Sequence, residues 1–141
     1  MDRLIVERKL DSLRHCLERI ASKRPASVAA LERDADLQDV LTLNLSRAVQ
    51  ICVDIGAHVL VEQAQRPPNT MGETFDGLAQ AGVIDAALAL RMKKAVGFRN
   101  VAVHAYERID WQIVYMIATR DQDDFRHFAA AVAQMRANPL L

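Results

Sequence analysis

Apolar residues recur at spacings of three and four along most of this chain, and this periodicity limits its fold more than any other feature. The longest series follows one helical face for about six turns. Its members are Leu37, Leu41, Leu45, Ala48, Cys52, Ile55 and Val59. A second series predicts a helix over residues 2–22 and consists of Val6, Leu10, Leu13, Leu17 and Ile20. The chain is therefore expected to be all-α.

Residues that commonly cap helix N-termini precede the helical segments. They are Ser27, Asp34 or Asp36, the Thr70–Glu73 capping box, Asp85 and Asp110. Helices are expected to end at Pro25, at Arg66-Pro67-Pro68 and at Gly82. The final helix is expected to bend or break near the acidic residues 121–124. Four principal helices with short connections predict an up-and-down antiparallel bundle with additional short helices.

The composition supports this fold class and a single domain over residues 1–141. Hydrophobic residues make up 51% of the chain and aromatic residues only 5%, so the core must be aliphatic, which favours helices over sheets. The 18 basic and 18 acidic residues balance. This balance argues against a protein that coats nucleic acid through bulk charge.

Cysteine usage and the N-terminal residues bear on the cellular compartment. Cys16 and Cys52 lie on apolar helical stripes without CxxC spacing, as expected for small packed residues in a reducing compartment. The N-terminus carries charges where a signal peptide needs an apolar run, and no stretch approaches the roughly 18 apolar residues of a membrane span. We therefore expect a cytoplasmic protein without membrane association.

Three pairs of Asp and His at a spacing of four raise the question of a metal site. They are Asp11/His15, Asp54/His58 and Asp123/His127. Di-iron bundles use Glu-x-x-His pairs on facing helices, and the sequence has none. Ordinary surface or capping pairs are therefore favoured. Phosphate-binding Gly-rich loops and zinc spacings are also missing from the sequence, so we expect no metal and no other cofactor.

The stretch from Lys93 to Tyr106 introduces reactive polar groups into this apolar helical pattern. Arg99 and His104 are five residues apart. On a straight helix they lie about 8 Å apart along the axis and about 140° apart in rotation, and a long arginine side chain can close much of that gap. Tyr106 follows where the helix is expected to end, and its phenol can point into the same space.

These residue types suit phosphodiester chemistry on RNA without a metal. An imidazole can take the proton of a ribose 2′-OH or give one to the leaving 5′-oxygen, and a guanidinium can hold the phosphate. Asn100, one turn before His104, can orient the imidazole or donate to a phosphate oxygen. Lys93 and Lys94 belong to a local basic excess over residues 85–108, which can guide an RNA backbone.

Asp54 is a further candidate for a supporting role. It lies midway along an otherwise apolar helix, where an unpaired carboxylate is costly. A nearby cation is therefore expected, with Arg99 or Arg47 as the partner.

The residues Arg99–Tyr106 resemble the Arg-x4-His-x-Tyr signature of the HepT toxins, a branch of the HEPN superfamily of small all-helical ribonucleases. The resemblance extends, in the family's order, to Ala48–His58, Phe75–Leu78 and Ala81–Ile84, and the eight-residue signature is its most specific part. It implies a metal-independent endoribonuclease toxin in which Arg99 and His104 are catalytic.

The resemblance also implies two partners besides the RNA substrate, which can be tRNA or mRNA. Each chain has one signature histidine, whereas 2′-OH attack needs both a base and an acid, so a homodimer with the site at its interface is expected. A nucleotidyltransferase antitoxin is expected to neutralise the toxin by AMPylating Tyr106. A bulky anionic adenylate two residues from His104 would oppose an RNA phosphate.

Two other classes of function remain open from the sequence. The chain can be a non-catalytic HEPN module that binds a nucleotidyltransferase partner or a nucleotide. It can also be a plain helical adaptor, which would tolerate changes at both Arg99 and His104. Loss of RNA cleavage in a His104→Ala variant separates the nuclease from both alternatives.

Overall fold

The structure, a computed structural model, describes residues 2–137. Its α-helices are α1 (Asp2–Ser22), α2 (Val28–Glu32), α3 (Ala35–Glu62), α4 (Met71–Gln80), α5 (Ala86–His104), α6 (Trp111–Met116) and α7 (Asp123–Ala137). A 3₁₀ turn, Tyr106–Arg108, follows α5, and a π-helical turn, Ile117–Asp121, joins α6 to α7. The predicted all-α bundle with additional short helices is confirmed, and the described residues contain no strand.

The predicted N-caps are confirmed in the structure. The side chains of Ser27, Asp34, Thr70, Asp85 and Asp110 each accept a hydrogen bond from a backbone N–H in the first turn that follows. These bonds satisfy N–H groups that have no partner within the helix. The helix boundaries are thus set by contacts over two or three residues.

The helix α3 ends earlier than the sequence predicted, at Glu62 rather than at Arg66. Ala64 adopts a left-handed backbone conformation with φ of 55°, and the Gln65 N–H donates to the Leu60 carbonyl at 2.9 Å. This Schellman arrangement turns the chain away from the helix axis before the prolines are reached.

The helix α3 is also the centre of the bundle, since it contacts α1, α4, α5 and α7. By length and composition alone it is apolar enough to cross a membrane, unlike the sequence-based expectation. However, 56% of its most apolar window is buried inside the protein. Its hydropathy therefore reflects its position in the core cluster, where Leu41, Leu45, Cys52 and Ile55 are fully buried.

A close approach of α3 and α4 positions the start of α4. A Cβ added to Gly56 would lie 2.5 Å from Thr74 Cγ2, and one added to Gly77 would lie 3.1 Å from Leu60 Cδ1. Both glycines therefore let the helices pack closer than larger residues allow. As a result, Met71 at the start of α4 reaches the face of α5 that carries Arg99.

The last helical segment is interrupted, as the sequence predicted, although the irregular turn already begins at Ile117. Within it, the Thr119 hydroxyl donates to the Tyr115 carbonyl at 2.6 Å. Such back-bonding by a threonine often bends helices. The bend separates α6, which packs on α2, from α7, which packs on α3 and α5.

Candidate active site

The candidate site lies at the C-terminal end of α5. The helix begins at the Asp85 cap and ends at His104, because Ala105 leaves the helical conformation with φ of −148° and ψ of 56°. Tyr106 then enters the 3₁₀ turn. The expectation that the helix ends between His104 and Tyr106 is therefore confirmed.

Arg99 is half-buried and its guanidinium is directed toward α4. Its Nη1 lies 3.8 Å from the thioether sulfur of Met71 and donates to Asn100 Oδ1 at 3.3 Å. Among the side chains that the structure describes, those of residues 3–137, no carboxylate forms an ion pair with Arg99. Because a thioether is a weak, uncharged acceptor, the positive charge of Arg99 remains available to an anion.

His104 is exposed at the last position of α5. Among the described residues its imidazole makes no side-chain hydrogen bond, and none joins it to Arg99. The helical offset between the two residues, about 8 Å and 140°, is therefore not closed by a direct contact. The Asn100 amide oxygen accepts from Arg99, and within the described residues no hydrogen bond joins Asn100 to His104. A role for Asn100 in orienting the imidazole or donating to a phosphate oxygen stays a prediction.

Tyr106 is tied to a residue that the sequence analysis missed. Its phenol donates a 2.6 Å hydrogen bond to Asp39 Oδ1 near the start of α3. Its ring packs edge to face on Trp111, with centroids 6.0 Å apart and planes at 69°. The side chain is nevertheless 41% exposed, so a partner protein can reach the phenol. No local pattern marks Asp39, because it is separated from Tyr106 by 67 positions.

The environment of Tyr106 makes the phenol hard to ionise. Partial burial raises the pKa of Tyr106, and the hydrogen bond and negative charge of Asp39 raise it further. The neighbouring Thr42 hydroxyl has the opposite effect. The buried Thr42 Oγ1 has no hydrogen-bond partner in the described part of the chain, so the 2.6 Å bond to Asp39 dominates the environment of the phenol.

Asp54 and Arg47 lie apart from this group. Asp54 forms an ion pair with Lys9 of α1 at 3.5 Å and accepts a hydrogen bond from Gln50 at 3.0 Å. The predicted pairing of Asp54 with Arg99 or Arg47 is therefore wrong. Arg47 is exposed and lines a shallow groove between α1 and α3 that also includes His15. Both residues face α1, a helix that sequence periodicity alone could not assign as their neighbour.

The two lysines of the basic stretch point in different directions. Lys93 forms an ion pair with Asp76 of α4 at 3.1 Å, whereas Lys94 lines a groove on another side of α5. Consecutive residues on a helix are about 100° apart, so they cannot form one patch. A role for Lys93 and Lys94 in RNA binding stays a prediction.

A groove beside α5 does not contain the candidate site. It has a volume of about 570 Å³ and lies between α5 and the α6–α7 segment. Its apolar lining includes Phe98, Val101, Ile113 and Ile117. Neither Arg99 nor His104 lines this groove, so the candidate site is the exposed end of α5.

The described residues offer no cluster of three or more His, Cys, Asp or Glu side chains that could hold a metal ion. Cys16 and Cys52 are buried free thiols. Burial raises the pKa of the Cys52 thiol, which keeps it uncharged and unreactive. Both cysteines therefore pack as small apolar residues.

Known proteins that resemble this chain are ribonucleases. A family described as ribonuclease HepT-like matches residues 13–132. The mRNA nuclease HepT of Shewanella oneidensis is 32% identical over 124 residues, which cover 88% of this chain and 92% of the relative. A putative RNase of Archaeoglobus fulgidus is 32% identical over 71 residues, or 50% of this chain and 53% of that protein.

Solved structures with the same fold include toxin–antitoxin complexes. The tri-AMPylated HEPN toxin of Shewanella oneidensis in complex with MNT antitoxin has a TM-score of 0.86 at 31% identity, covering 92% of this chain and 97% of that one. A toxin–antitoxin complex with AMP-PNP has a TM-score of 0.86 at 30% identity, with coverage of 92% and 98%. YutE of Bacillus subtilis, a cytosolic protein of unknown function, has a TM-score of 0.84 at 17% identity, covering 100% and 96%, and shows the fold alone.

Proposed function

Because this chain belongs to the HepT-like ribonuclease family and is an endoribonuclease, we propose that it is the toxin of a toxin–antitoxin pair and that Arg99 and His104 perform its RNA cleavage. The observation that carries the proposal is the arrangement at the end of α5. A guanidinium that pairs with none of the described carboxylates and an exposed imidazole lie on the same helix. The first can bind a phosphate and the second can transfer protons.

The proposed reaction needs no group beyond the chain and its RNA. The ribose 2′-oxygen attacks the adjacent phosphorus, the bond from phosphorus to the 5′-oxygen breaks, and a 2′,3′-cyclic phosphate forms. One imidazole removes the 2′-OH proton and a second protonates the leaving oxygen. Arg99 binds the charge that develops on the phosphate oxygens, and Asn100 holds the guanidinium in position.

Since one chain supplies a single signature histidine, the proposed enzyme is a homodimer with its site between two α5 ends. Val103, one residue before His104, is 51% exposed, and the nearby Val101 is 37% exposed. Apolar side chains beside the reactive residues are suited to contact with a second copy. Two copies together supply the acid, the base and two guanidinium groups.

The proposed partner is a nucleotidyltransferase antitoxin of the MNT type that transfers AMP to Tyr106. The Shewanella oneidensis toxin that resembles this chain is AMPylated and bound to MNT antitoxin. Tyr106 lies two residues beyond His104, so an adenylate on the phenol adds bulk and negative charge where the RNA phosphate must bind. We further propose a single domain that acts on RNA in the cytoplasm, with mRNA as the first substrate to test.

The proposal is tested by expressing Arg99→Ala and His104→Ala variants and measuring growth and RNA integrity. Removal of the proton-transfer group or the phosphate-binding cation is expected to slow cleavage by at least about a hundredfold. Arg126→Ala and His127→Ala, which change the same residue types on the exposed side of α7, are the matched controls. Unchanged cleavage by His104→Ala would favour a non-catalytic HEPN module that acts by binding alone.

A further inference from the structure

The bond between Tyr106 and Asp39 has no role in RNA cleavage as proposed above. We infer that Asp39 is the general base of Tyr106 AMPylation, so that the toxin itself supplies the group that activates its tyrosine. The inference rests on the proposed function, since it concerns the modification of that residue. Its structural basis is the 2.6 Å hydrogen bond from the phenol oxygen to Asp39 Oδ1.

The geometry satisfies the requirement for a general base. A base must lie within hydrogen-bond reach, about 2.6–3.2 Å, of the proton that it removes. Asp39 meets this requirement before any partner binds. In the described part of the chain, the Asp39 carboxylate forms no ion pair with a lysine or arginine that would compete for its lone pairs.

The chemistry of the phenol explains why a base is needed. The pKa of Tyr106 is raised above that of an ordinary tyrosine, so the phenolate is scarce near neutral pH. Uncatalysed attack by the neutral phenol is slow because phenols are weak nucleophiles until they lose the proton. A carboxylate that already accepts the phenol proton removes this obstacle as the new bond forms.

The proposed step transfers AMP from ATP to the phenol of Tyr106. The phenol oxygen of Tyr106 attacks the α-phosphorus of ATP, and a new oxygen–phosphorus bond forms. The bond from the α-phosphorus to the bridging oxygen of pyrophosphate breaks, and pyrophosphate leaves with that electron pair. The phenol proton passes to Asp39 and from there to water.

The position of the phenol also suits transfer from a partner. Trp111 packs against one edge of the ring and Asp39 holds the oxygen, which fixes the side chain between α3 and α6. The Tyr106 side chain is nevertheless 41% exposed. A nucleotidyltransferase therefore meets a tyrosine that is already oriented and hydrogen bonded to its base.

The experiment compares the wild type with Asp39→Asn, which retains a hydrogen-bond acceptor at nearly the same place but cannot take the proton. Purified chains are incubated with ATP and an MNT-type nucleotidyltransferase antitoxin, and AMP on Tyr106 is followed by mass spectrometry. We expect kcat for AMPylation in Asp39→Asn to fall on the order of a hundredfold, with little change in the KM for ATP or for the chain. Asp39→Glu is expected to recover much of the rate.

Two controls separate this role from a structural one. Asp36→Asn removes an acidic residue one turn earlier on the exposed side of α3 and is expected to react like the wild type. Melting temperatures of all variants report on folding. If Asp39→Asn folds and is AMPylated as fast as the wild type, Asp39 only tethers the tyrosine and the inference is overturned.

A second reagent distinguishes failure of the inference from failure of the proposed function. N-acetylimidazole acetylates tyrosine oxygens without a partner protein. The rate at Tyr106 is measured in the wild type and in Asp39→Asn, and each rate is divided by the phenolate fraction that the titration of that protein gives. Slower acetylation of Asp39→Asn supports Asp39 as the base even if the partner transfers no AMP, a result that would reject only the proposed modification. Equal or faster acetylation of Asp39→Asn contradicts the inference.

Discussion

At the scale of single residues, the candidate site is defined by what each polar side chain contacts. Arg99 contacts Met71 and Asn100, neither of which is charged, and Tyr106 donates to Asp39. The first environment leaves a cation available for an anionic substrate. The second holds a proton on the phenol, so the two residues have opposite electrostatic surroundings within eight positions of the chain.

The titration of Tyr106 provides a direct test of its environment. We expect its phenol to ionise at a pKa above about 10, and Asp39→Asn to bring that pKa down because a neutral amide no longer repels the phenolate. The absorbance of the phenolate follows the ionisation of the tyrosines. The ionisation that disappears in Tyr106→Phe belongs to Tyr106, and the one that remains belongs to Tyr115. A pKa that is unchanged in Asp39→Asn would contradict the assignment.

The raised pKa of Tyr106 also makes the stability of the fold depend on pH. Because the folded-state pKa is raised, the stabilisation from the protonated phenol is complete below the unfolded-state value of about 10 and is lost as pH rises through the folded-state pKa. Thermal unfolding across alkaline pH is therefore expected to show a steeper loss of stability in the wild type than in Tyr106→Phe.

At the scale of helices, α3 and α4 end in the same type of C-terminal cap. In each cap a backbone N–H donates to the carbonyl five residues earlier, but the left-handed residue is alanine in one and glycine in the other. After α3, Ala64 has φ of 55°, and Gln65 donates to Leu60 at 2.9 Å. After α4, Gly82 has φ of 78°, and Val83 donates to Leu78 at 2.9 Å. Only glycine adopts this left-handed conformation without a steric penalty.

These caps predict opposite effects for two small substitutions. Ala64→Gly is expected to raise the free energy of unfolding by about 1 kcal/mol, and Gly82→Ala to lower it by about the same amount. Urea denaturation measures both. Ala130→Gly on the exposed side of α7 is the control, and it is expected to destabilise because glycine disfavours a helix interior. Destabilisation by Ala64→Gly would reject this account of the end of α3.

At the scale of the whole molecule, the exposed end of α5 is the surface through which the proposed second copy would complete the site. His104 and Val103 are both exposed, and within the described residues no hydrogen bond joins any imidazole to Arg99. A base and an acid on opposite sides of one phosphate are therefore supplied most simply by a two-fold pair of chains.

The proposed dimer predicts how RNA cleavage depends on the fraction of wild-type subunits in a mixture with variant subunits. When the wild type is mixed with His104→Ala and the subunits are allowed to exchange, activity is expected to fall with the square of the wild-type fraction, because a mixed dimer has only one imidazole. Val103→Asp is expected to give monomers by light scattering and to lose cleavage. A linear fall in activity, or an active monomer, would show that one chain contains the full site.

Much of the molecule could be predicted from the sequence because it depends on local contacts. Each N-cap, from Ser27 to Asp110, bonds to a backbone N–H two or three residues away. The order of Arg99, His104 and Tyr106 around the end of α5 likewise follows from helical geometry and the residues beside it. The resemblance of this signature to the HepT toxins identified the family before the structure was known.

Tertiary structure alone determined which helix covers each polar face. Lys9 pairs with Asp54 across 45 positions, Met71 contacts Arg99 across 28, and Asp39 bonds to Tyr106 across 67. Apolar periodicity shows which side of a helix is buried, but it carries no information about the helix that buries it. The sequence by itself therefore determined the helices and the reactive residues, whereas the packing of α3 against the end of α5 determined the partner of the tyrosine.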